Sequence, residues 1–469
     1  MDKKFIFLIV FSAVVLGIVV AYDFWLTLGA LVFLFYLAAA WRWPRPVLYV
    51  LAAYLPFQIA LNLAPDIDLI SGRVLVPALF LVAGLKYFLA GGDFKVFLRN
   101  KISLSLLFFF SLTAISFLVA VEHFWALRKI LFLSSWLPLY FLMADFIDNE
   151  EKSRKLIWVI VLGAATSALV GLGQFLAQFI LNRETLIAFW LNFIAPLFSG
   201  ASLAKLIQTD HSWLVEVSGQ VFFRVVGLFP DPHMAAFYLG MAFPFCLALF
   251  FFERRYKKIT GAVCLLVALA IFLTFSRGGY LGAFFSVAFF LAAIRKFLTK
   301  KDKKFLAAAF LFLVFTLFFF SPIGGRFSSI FSMEDGSNLG RLQIWQDSWN
   351  LAEDNFLLGV GLGNYSSVLN FAQNYRNAVT SHNLYLDLLV ELGILGLLSW
   401  FVVIFFAWRA AWRARSREPV VALGVAGALV YFSVHSFFET AIFNPTVLAF
   451  LVIYLGLSFR LEQKNVSNN

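Results

Sequence analysis

The sequence predicts an all-α fold, a polytopic transmembrane helical bundle of about 12–14 spans with two long outer-face loops that contain short amphipathic helices. Three observations predict it. Of 469 residues, 62% are apolar and 13% are charged, whereas a soluble domain is about half apolar and a quarter charged. The apolar residues recur in blocks of about 20 with few or no charges, the length that crosses roughly 30 Å of hydrocarbon as a helix. Lys and Arg gather between alternate blocks, the asymmetry that marks cytoplasmic loops.

Taken in order, the spans fall at Phe5–Ala21, Phe24–Trp41, Val47–Leu63, Val74–Ala90, Ile102–Ala120, Ile130–Ile147, Leu156–Leu181, Met234–Phe252, Ile259–Phe275, Gly279–Ile294, Phe305–Ser321, Leu384–Ala407, Val420–Phe437 and Pro445–Phe459. The first block follows a short basic start, but it runs too long for a cleaved signal and no small-x-small site follows it, so it reads as an uncleaved span. The basic loops hold Lys3/Lys4, Arg42/Arg45, Lys95 to Lys101, Lys152 to Lys155, Arg254 to Lys258, Arg295 to Lys304 and Arg409 to Arg417. They alternate with loops poorer in charge. Both termini are therefore expected in the cytoplasm, and the net charge of +11 follows from topology with no nucleic-acid partner. Cys246 and Cys264 fall inside spans, where they read as small apolar groups. The chain reads as one membrane domain, 1–469, with long outer loops at 182–233 and 322–383.

Long structured loops are usually functional. The second carries LQIWQDSWNLA from Leu342, with Leu342, Trp345, Trp349 and Ala352 at helical spacing, expected to lie on the membrane surface or roof a cavity. The five histidines, His123, His211, His233, His382 and His435, all fall on the outer side of this topology. So do isolated arginines at Arg73, Arg128, Arg224, Arg277, Arg326, Arg341 and Arg376, each placed against the orientation rule and so expected to bind something anionic.

Arg277 in LTFSRGGYLG sits at the membrane edge beside two glycines; the bland reading is a snorkelling side chain at a helix end. Arg224 in FFRVVGLFPDPHMAA precedes a span that Asp231 is placed to cap; an ion pair with Asp231 is its bland reading. His382 opens a span that continues with Asp387 and Glu391 on one helical face. Imidazole at a dry interface can act as a base; the alternative is that His382 and Asn383 only satisfy first-turn amides. For Asp387 and Glu391 the alternative is a helix-helix hydrogen bond or ion pair. GVGLGNY from Gly359 resembles a phosphate loop but follows no strand, and reads as turns. No outer His, Cys or carboxylate cluster has metal-ligand spacing, so neither a metal nor a cofactor is expected.

FRVVGLFPDPHMAA, TFSRGGYLG, GRLQIWQDSWNLAEDNFLLGVGLGNY and SHNLYLDLLVELGILG, in that order and on one face, resemble the O-antigen ligase family of bacterial membrane glycosyltransferases, which also includes O-antigen polymerases and some protein O-oligosaccharyltransferases. The resemblance covers roughly Arg224 to Trp400. It implies glycan transfer on the outer face of the inner membrane, from an undecaprenyl-pyrophosphate-linked donor to a hydroxyl of a sugar, lipid A core or protein, as in lipopolysaccharide biosynthesis. By motif match Arg224 and Arg277 would hold the pyrophosphate and His382 would sit at the reaction centre as the catalytic base. Arg341, Arg128, His233 and Asn383 are the candidate substrate-binding residues. His233 departs from the pattern, since the family more often has Asn there, and the span count exceeds the usual twelve of the ligases. The expected enzyme is metal-independent and inverting, with membrane lipids and a glycolipid or glycan acceptor as partners. A polymerase of the same superfamily is the first alternative. A polysaccharide or lipid transporter or flippase is the second, disfavoured because transporters gather polar groups near the midplane and here they gather at one edge.

Overall fold

The computed structural model describes residues 24–64, 67–92, 95–207, 211–217, 219–296, 336–369 and 380–466. The expected spans Phe5–Ala21 and Phe305–Ser321, and Arg326 and Arg376, lie outside these residues. The first half supplies α1 (Phe24–Arg42), α2 (Pro44–Tyr54), a hairpin of β1 (Ala60–Ala64) and β2 (Ile67–Ile70), α3 (Gly72–Leu89), α4 (Lys95–Leu98), α5 (Lys101–Ser116), α6 (His123–Ser134), α7 (Leu137–Phe146) and α8 (Glu150–Ala177). A loop region follows with α9 (Arg183–Phe189), α10 (Ala195–Ser199), α11 (Ala201–Ile207) and a hairpin of β3 (Leu214–Val217) and β4 (Gln220–Phe223). The second half supplies α12 (Pro232–Phe252), α13 (Lys257–Leu273), α14 (Arg277–Ile294), α15 (Gly336–Asp354), α16 (Tyr365–Val368), α17 (Leu384–Ala414), α18 (Pro419–His435) and α19 (Pro445–Val466).

Among the described residues nine helices are long and apolar enough to cross a membrane, with shorter apolar helices at Leu28–Arg42 and Pro419–His435. The bundle exterior is itself apolar. Phe35, Leu81 and Leu265 are 75%, 70% and 72% exposed, which suits hydrocarbon and not water. The core lies where α12, α18 and α19 meet, with Phe237, Phe245, Tyr431, Phe432 and Tyr454 wholly buried. The basic loops between α12 and α13 and between α17 and α18 lie at the end of the bundle opposite the starts of α12, α14 and α17.

Three elements depart from the expectation. The span expected at Val47–Leu63 contains α2, whose 11 residues reach only about 16 Å at 1.5 Å per residue. Pro56 and the extended Gln58 end it, and the chain turns into β1. The span expected at Ile130–Ile147 lies within the membrane-crossing segment His123–Phe146, but that segment is parted into α6 and α7 at Ser135 and Trp136 ahead of Pro138. Within α17, Gly393 adopts φ 66° and ψ −173° and breaks the helix. The backbone groups freed by that break are satisfied by the glycine-rich loop. Val360 N–H donates to Val390 O at 2.9 Å, Gly361 N–H to Glu391 O at 3.0 Å and Ile394 N–H to Phe356 O at 2.8 Å. Gly359, Gly361 and Gly363 all have positive φ, so GVGLGNY is a set of turns, which wedges into the helix break because unpaired backbone groups at membrane depth are costly.

Candidate functional site

The starts of α12, α14 and α17 meet at one end of the bundle, and each is capped by a residue from the motif that carries it. Asp231 Oδ1 accepts from His233 N–H at 2.7 Å and Met234 N–H at 3.0 Å. Ser276 Oγ accepts from Gly279 N–H at 3.2 Å. Asn383 Oδ1 accepts from Tyr385 N–H at 3.0 Å and Leu386 N–H at 3.3 Å. Each cap contributes about 1 kcal/mol and, together, they turn three positive helix poles toward one space.

Two clusters of side chains occupy that space. In one, His382 Nδ1 lies 3.1 Å from both carboxylate oxygens of Glu439, which stands in the turn between α18 and α19. His382 has φ 53°, a left-handed backbone uncommon for a residue with a Cβ, held by the surrounding bonds and turning the imidazole away from the cap and toward Glu439. Asp387 aligns the two halves of this pair: its Oδ1 accepts from Ser381 N–H at 2.8 Å, and its Oδ2 accepts from the Thr440 hydroxyl. Ser381 O in turn accepts from Trp345 Nε1–H of α15 at 2.9 Å.

In the other cluster, Ser276 Oγ lies 3.0 Å from His233 Nδ1 and 3.3 Å from His435 Nε2. Phe275, immediately before it, is the second residue with a Cβ in the left-handed region, at φ 50°. Arg341 lies within electrostatic range of His382, Glu439, His233 and His435, so it borders both clusters.

The charges in the turns respond to one another. The neighbouring Glu439 carboxylate raises the His382 pKa above 6.5 against the opposing effect of burial and of Arg341. Burial pushes the Glu439 carboxyl up, but His382, His233 and Arg341 together hold it below the ordinary 4.5. Asp231 is raised to about 6, by burial first and Glu439 second.

Arg224 is buried and anchored. Its Nε–H donates to Thr274 O and its Nη1–H to Ser212 O, each at 2.7 Å, which ties the end of β4 to the turn that holds Ser276. The side chain of Asp231 caps α12, and its link to Arg224 is one of electrostatic range. Arg277 is half-buried as the first residue of α14. Its neighbour Gly278 lies so close to His435 that a Cβ would come within 2.7 Å of the ring. Arg341 opens the inward face of α15, followed by Trp345, Ser348 and Ala352. The seated face of this helix is therefore rotated from the expected stripe: Leu342 and Trp349 are 45% and 54% exposed, while Ser348 is buried because its hydroxyl meets Tyr365 OH at 2.8 Å.

Arg128 lies on α6, over the Phe124 ring at 5.3 Å. Arg73, on α3, packs over Phe132 of α6 at 5.0 Å and donates to Ser135 Oγ at 3.3 Å. Glu391 forms an ion pair with Lys129 at 3.1 Å, the bland reading given to it above. Asn383 is buried and its carbonyl is committed to the cap. Among the described residues no group of three or more His, Cys, Asp or Glu is arranged to hold a metal ion. Cys246 and Cys264 are free thiols on α12 and α13.

Glu439 and Ser276 are the site residues that sequence reasoning missed. Glu439 is one acidic residue in a short turn with no motif around it; its signal was its place among few charges at the same end as five histidines. Ser276 was inside TFSRGG, beside the more conspicuous Arg277.

Parts of the chain are similar to known proteins. Residues 262–401 match the family model described as O-antigen ligase, a stretch that includes Ser276, Arg277, Arg341, His382, Asn383 and Asp387. Over 209 residues the chain is 28% identical to the teichuronic acid biosynthesis protein TuaE of Bacillus subtilis, covering 41% of this chain and 43% of that protein. The similarity thus spans less than half of that relative's length. The stretch that carries much of the two-cluster site, in a multi-pass helical bundle, is thus similar to the O-antigen ligase family.

Proposed function

We propose that the chain is a glycosyltransferase that moves a glycan from an undecaprenyl-pyrophosphate carrier to an acceptor hydroxyl, lipid A core or similar, on the outer face of the bacterial inner membrane. The observation that carries this reading is the His382–Glu439 pair at 3.1 Å beside Arg341. A carboxylate on Nδ1 fixes the tautomer, so that Nε2 carries the lone pair that takes the acceptor proton. The acceptor oxygen attacks the anomeric carbon as its bond to the pyrophosphate oxygen breaks. Attack opposite the leaving group inverts that centre. Arg341, Arg224 and Arg277, with the α12, α14 and α17 helix ends, stabilise the charge that grows on the departing pyrophosphate.

Purified donor and acceptor test it. His382→Ala should lower the transfer rate about a hundredfold or more with donor affinity nearly intact, and Arg277→Ala should weaken donor binding and slow transfer together. Parental transfer by His382→Ala removes the base, and loss of transfer in EDTA with recovery in magnesium removes the metal-free account. The basic loops at the far end of the bundle support both termini in the cytoplasm; reporters fused after Asn192 should be outside and after Lys258 inside. The relative named for teichuronic acid biosynthesis favours a second reading, in which the acceptor is another glycan chain and the enzyme is a polymerase. Supplying lipid A core and glycan acceptors side by side separates the two.

A further inference from the structure

We infer that Ser276 and His435 fix His233 as a neutral imidazole with its hydrogen on Nε2, and that His233 donates this hydrogen to an anionic oxygen of the donor pyrophosphate. The second half of the statement rests on the proposed function; the first does not.

The hydrogen inventory of Ser276 carries the argument. Its hydroxyl has one hydrogen and two acceptor lone pairs. Gly279 N–H takes one lone pair at 3.2 Å, leaving one hydrogen and one lone pair to face two imidazole nitrogens, His233 Nδ1 at 3.0 Å and His435 Nε2 at 3.3 Å. One ring must therefore donate to Ser276 and the other accept from it.

His435 decides which. Its ring is wholly buried and stacked on Phe237 with centroids 3.7 Å apart, and its Nδ1 has no hydrogen-bond partner among the described residues. Were Nε2 the acceptor, a neutral His435 would carry its hydrogen on Nδ1 and bury an orphaned N–H. With the hydrogen on Nε2, only a lone pair is orphaned, the cheaper outcome for a buried polar group. His435 Nε2–H thus donates to Ser276, Ser276 O–H donates to His233 Nδ1, and the His233 hydrogen lies on Nε2. Protonating His233 would aim two N–H groups at the single remaining lone pair. His233 is therefore held as a donor, while His382, paired with a carboxylate, is held as a base. Arg224, Arg341 and Glu439 lie within electrostatic range of His233, so a pyrophosphate held by those arginines would come within range of this ring. Ser276 and His435 are positioning residues for it.

Nitrogen-15 histidine spectra of the full chain in nanodiscs read the tautomer without any glycan. Neutral His233 with hydrogen on Nε2 and a hydrogen-bonded Nδ1, the latter signature lost in Ser276→Ala, supports the relay; a hydrogen on Nδ1, or an imidazolium at neutral pH, overturns it. Undecaprenyl pyrophosphate is then the binding probe. His233→Phe should weaken its affinity roughly tenfold to a hundredfold, the scale of a hydrogen bond to a charged group. His233→Asn, whose amide keeps a neutral N–H and leaves Ser276 in place, should recover most of that. Asn binding no better than Phe overturns the donor role. A parental protein with the expected tautomer that binds no lipid pyrophosphate overturns the donor assignment alone.

Discussion

Glu439→Gln removes one charge and little volume, so it isolates what the carboxylate does for His382. Two unit charges 3.1 Å apart attract by about 1 kcal/mol at the dielectric constant of water and about 5 kcal/mol at an effective value of 20. The His382 side chain is 38% exposed, so the low end applies, about 1–2 kcal/mol, roughly tenfold in basicity. Glu439 raises the His382 pKa, so the free base that accepts a proton accumulates only above the ordinary histidine value of 6.5. Without Glu439 that value falls, and the acid limb of the pH–rate profile should move to lower pH. The plateau should fall about tenfold to a hundredfold, because the base is weaker and a Gln amide holds either tautomer. Donor affinity should change little. Single-turnover transfer across pH 5 to 9, with donor binding measured alongside, is the assay. A parental profile and plateau in a folded Glu439→Gln protein would refute the pairing as the origin of His382 basicity.

Asp387→Asn should lower transfer about tenfold with donor affinity near parental, because an amide cannot accept from both Ser381 N–H and Thr440 as the carboxylate does; equal losses in rate and affinity would argue against an alignment role. Gly393→Ala places a Cβ 2.2 Å from Leu357 O at a positive φ, and should cost about 2–3 kcal/mol or more, read as a lower Tm in detergent; an unchanged Tm would contradict the wedged break. Lys129→Met leaves Glu391, 3% exposed, as an unpaired buried charge and should destabilise by about 3–5 kcal/mol, with Lys129→Met/Glu391→Gln recovering most of it. Arg224→Lys keeps the charge but cannot reach both Thr274 O and Ser212 O in the planar arrangement of the guanidinium, so protein stability and donor affinity should fall together. If affinity alone falls, the anchoring role is wrong.

Helices were the legible part of the fold, because a bilayer demands about 20 apolar residues per span and that demand is written in composition. What escaped was local. The break at Gly393 is invisible to hydropathy, since the glycine sits in an unbroken apolar run and its partners come from a loop some thirty residues earlier in the chain. Val47–Leu63 had the length and apolarity of a span, but Pro56 and the pairing of β1 with β2 end the helix early. At the site, residue types drew attention to His382, His233 and Arg341, and the structure groups these. The same reasoning named Arg128 with equal weight, although it stands on α6 over Phe124, because isolation of an arginine in sequence says nothing about which neighbour it will meet. Glu439 escaped because turns between spans carry too little sequence to announce a partner that is 57 residues from His382.

The distribution of charge explains why such a partner is needed. Arg224, Arg341 and the positive poles of α12, α14 and α17 suit the space for a pyrophosphate, but the same field disfavours protonating any imidazole within it. Arg341 does lower the His382 pKa. An imidazole so treated would be free of protons at neutral pH yet too weak to take one from a hydroxyl. Glu439 acts most directly on His382, since its carboxylate is bonded to that ring, whereas His233 is bonded to a serine that offers no charge. Asp231 is raised to about 6 by burial and by Glu439 itself and so is still mostly ionised at neutral pH, with its carboxylate committed to capping α12. One carboxylate placed on one histidine would thus let the proposed leaving-group site and a competent base stand side by side.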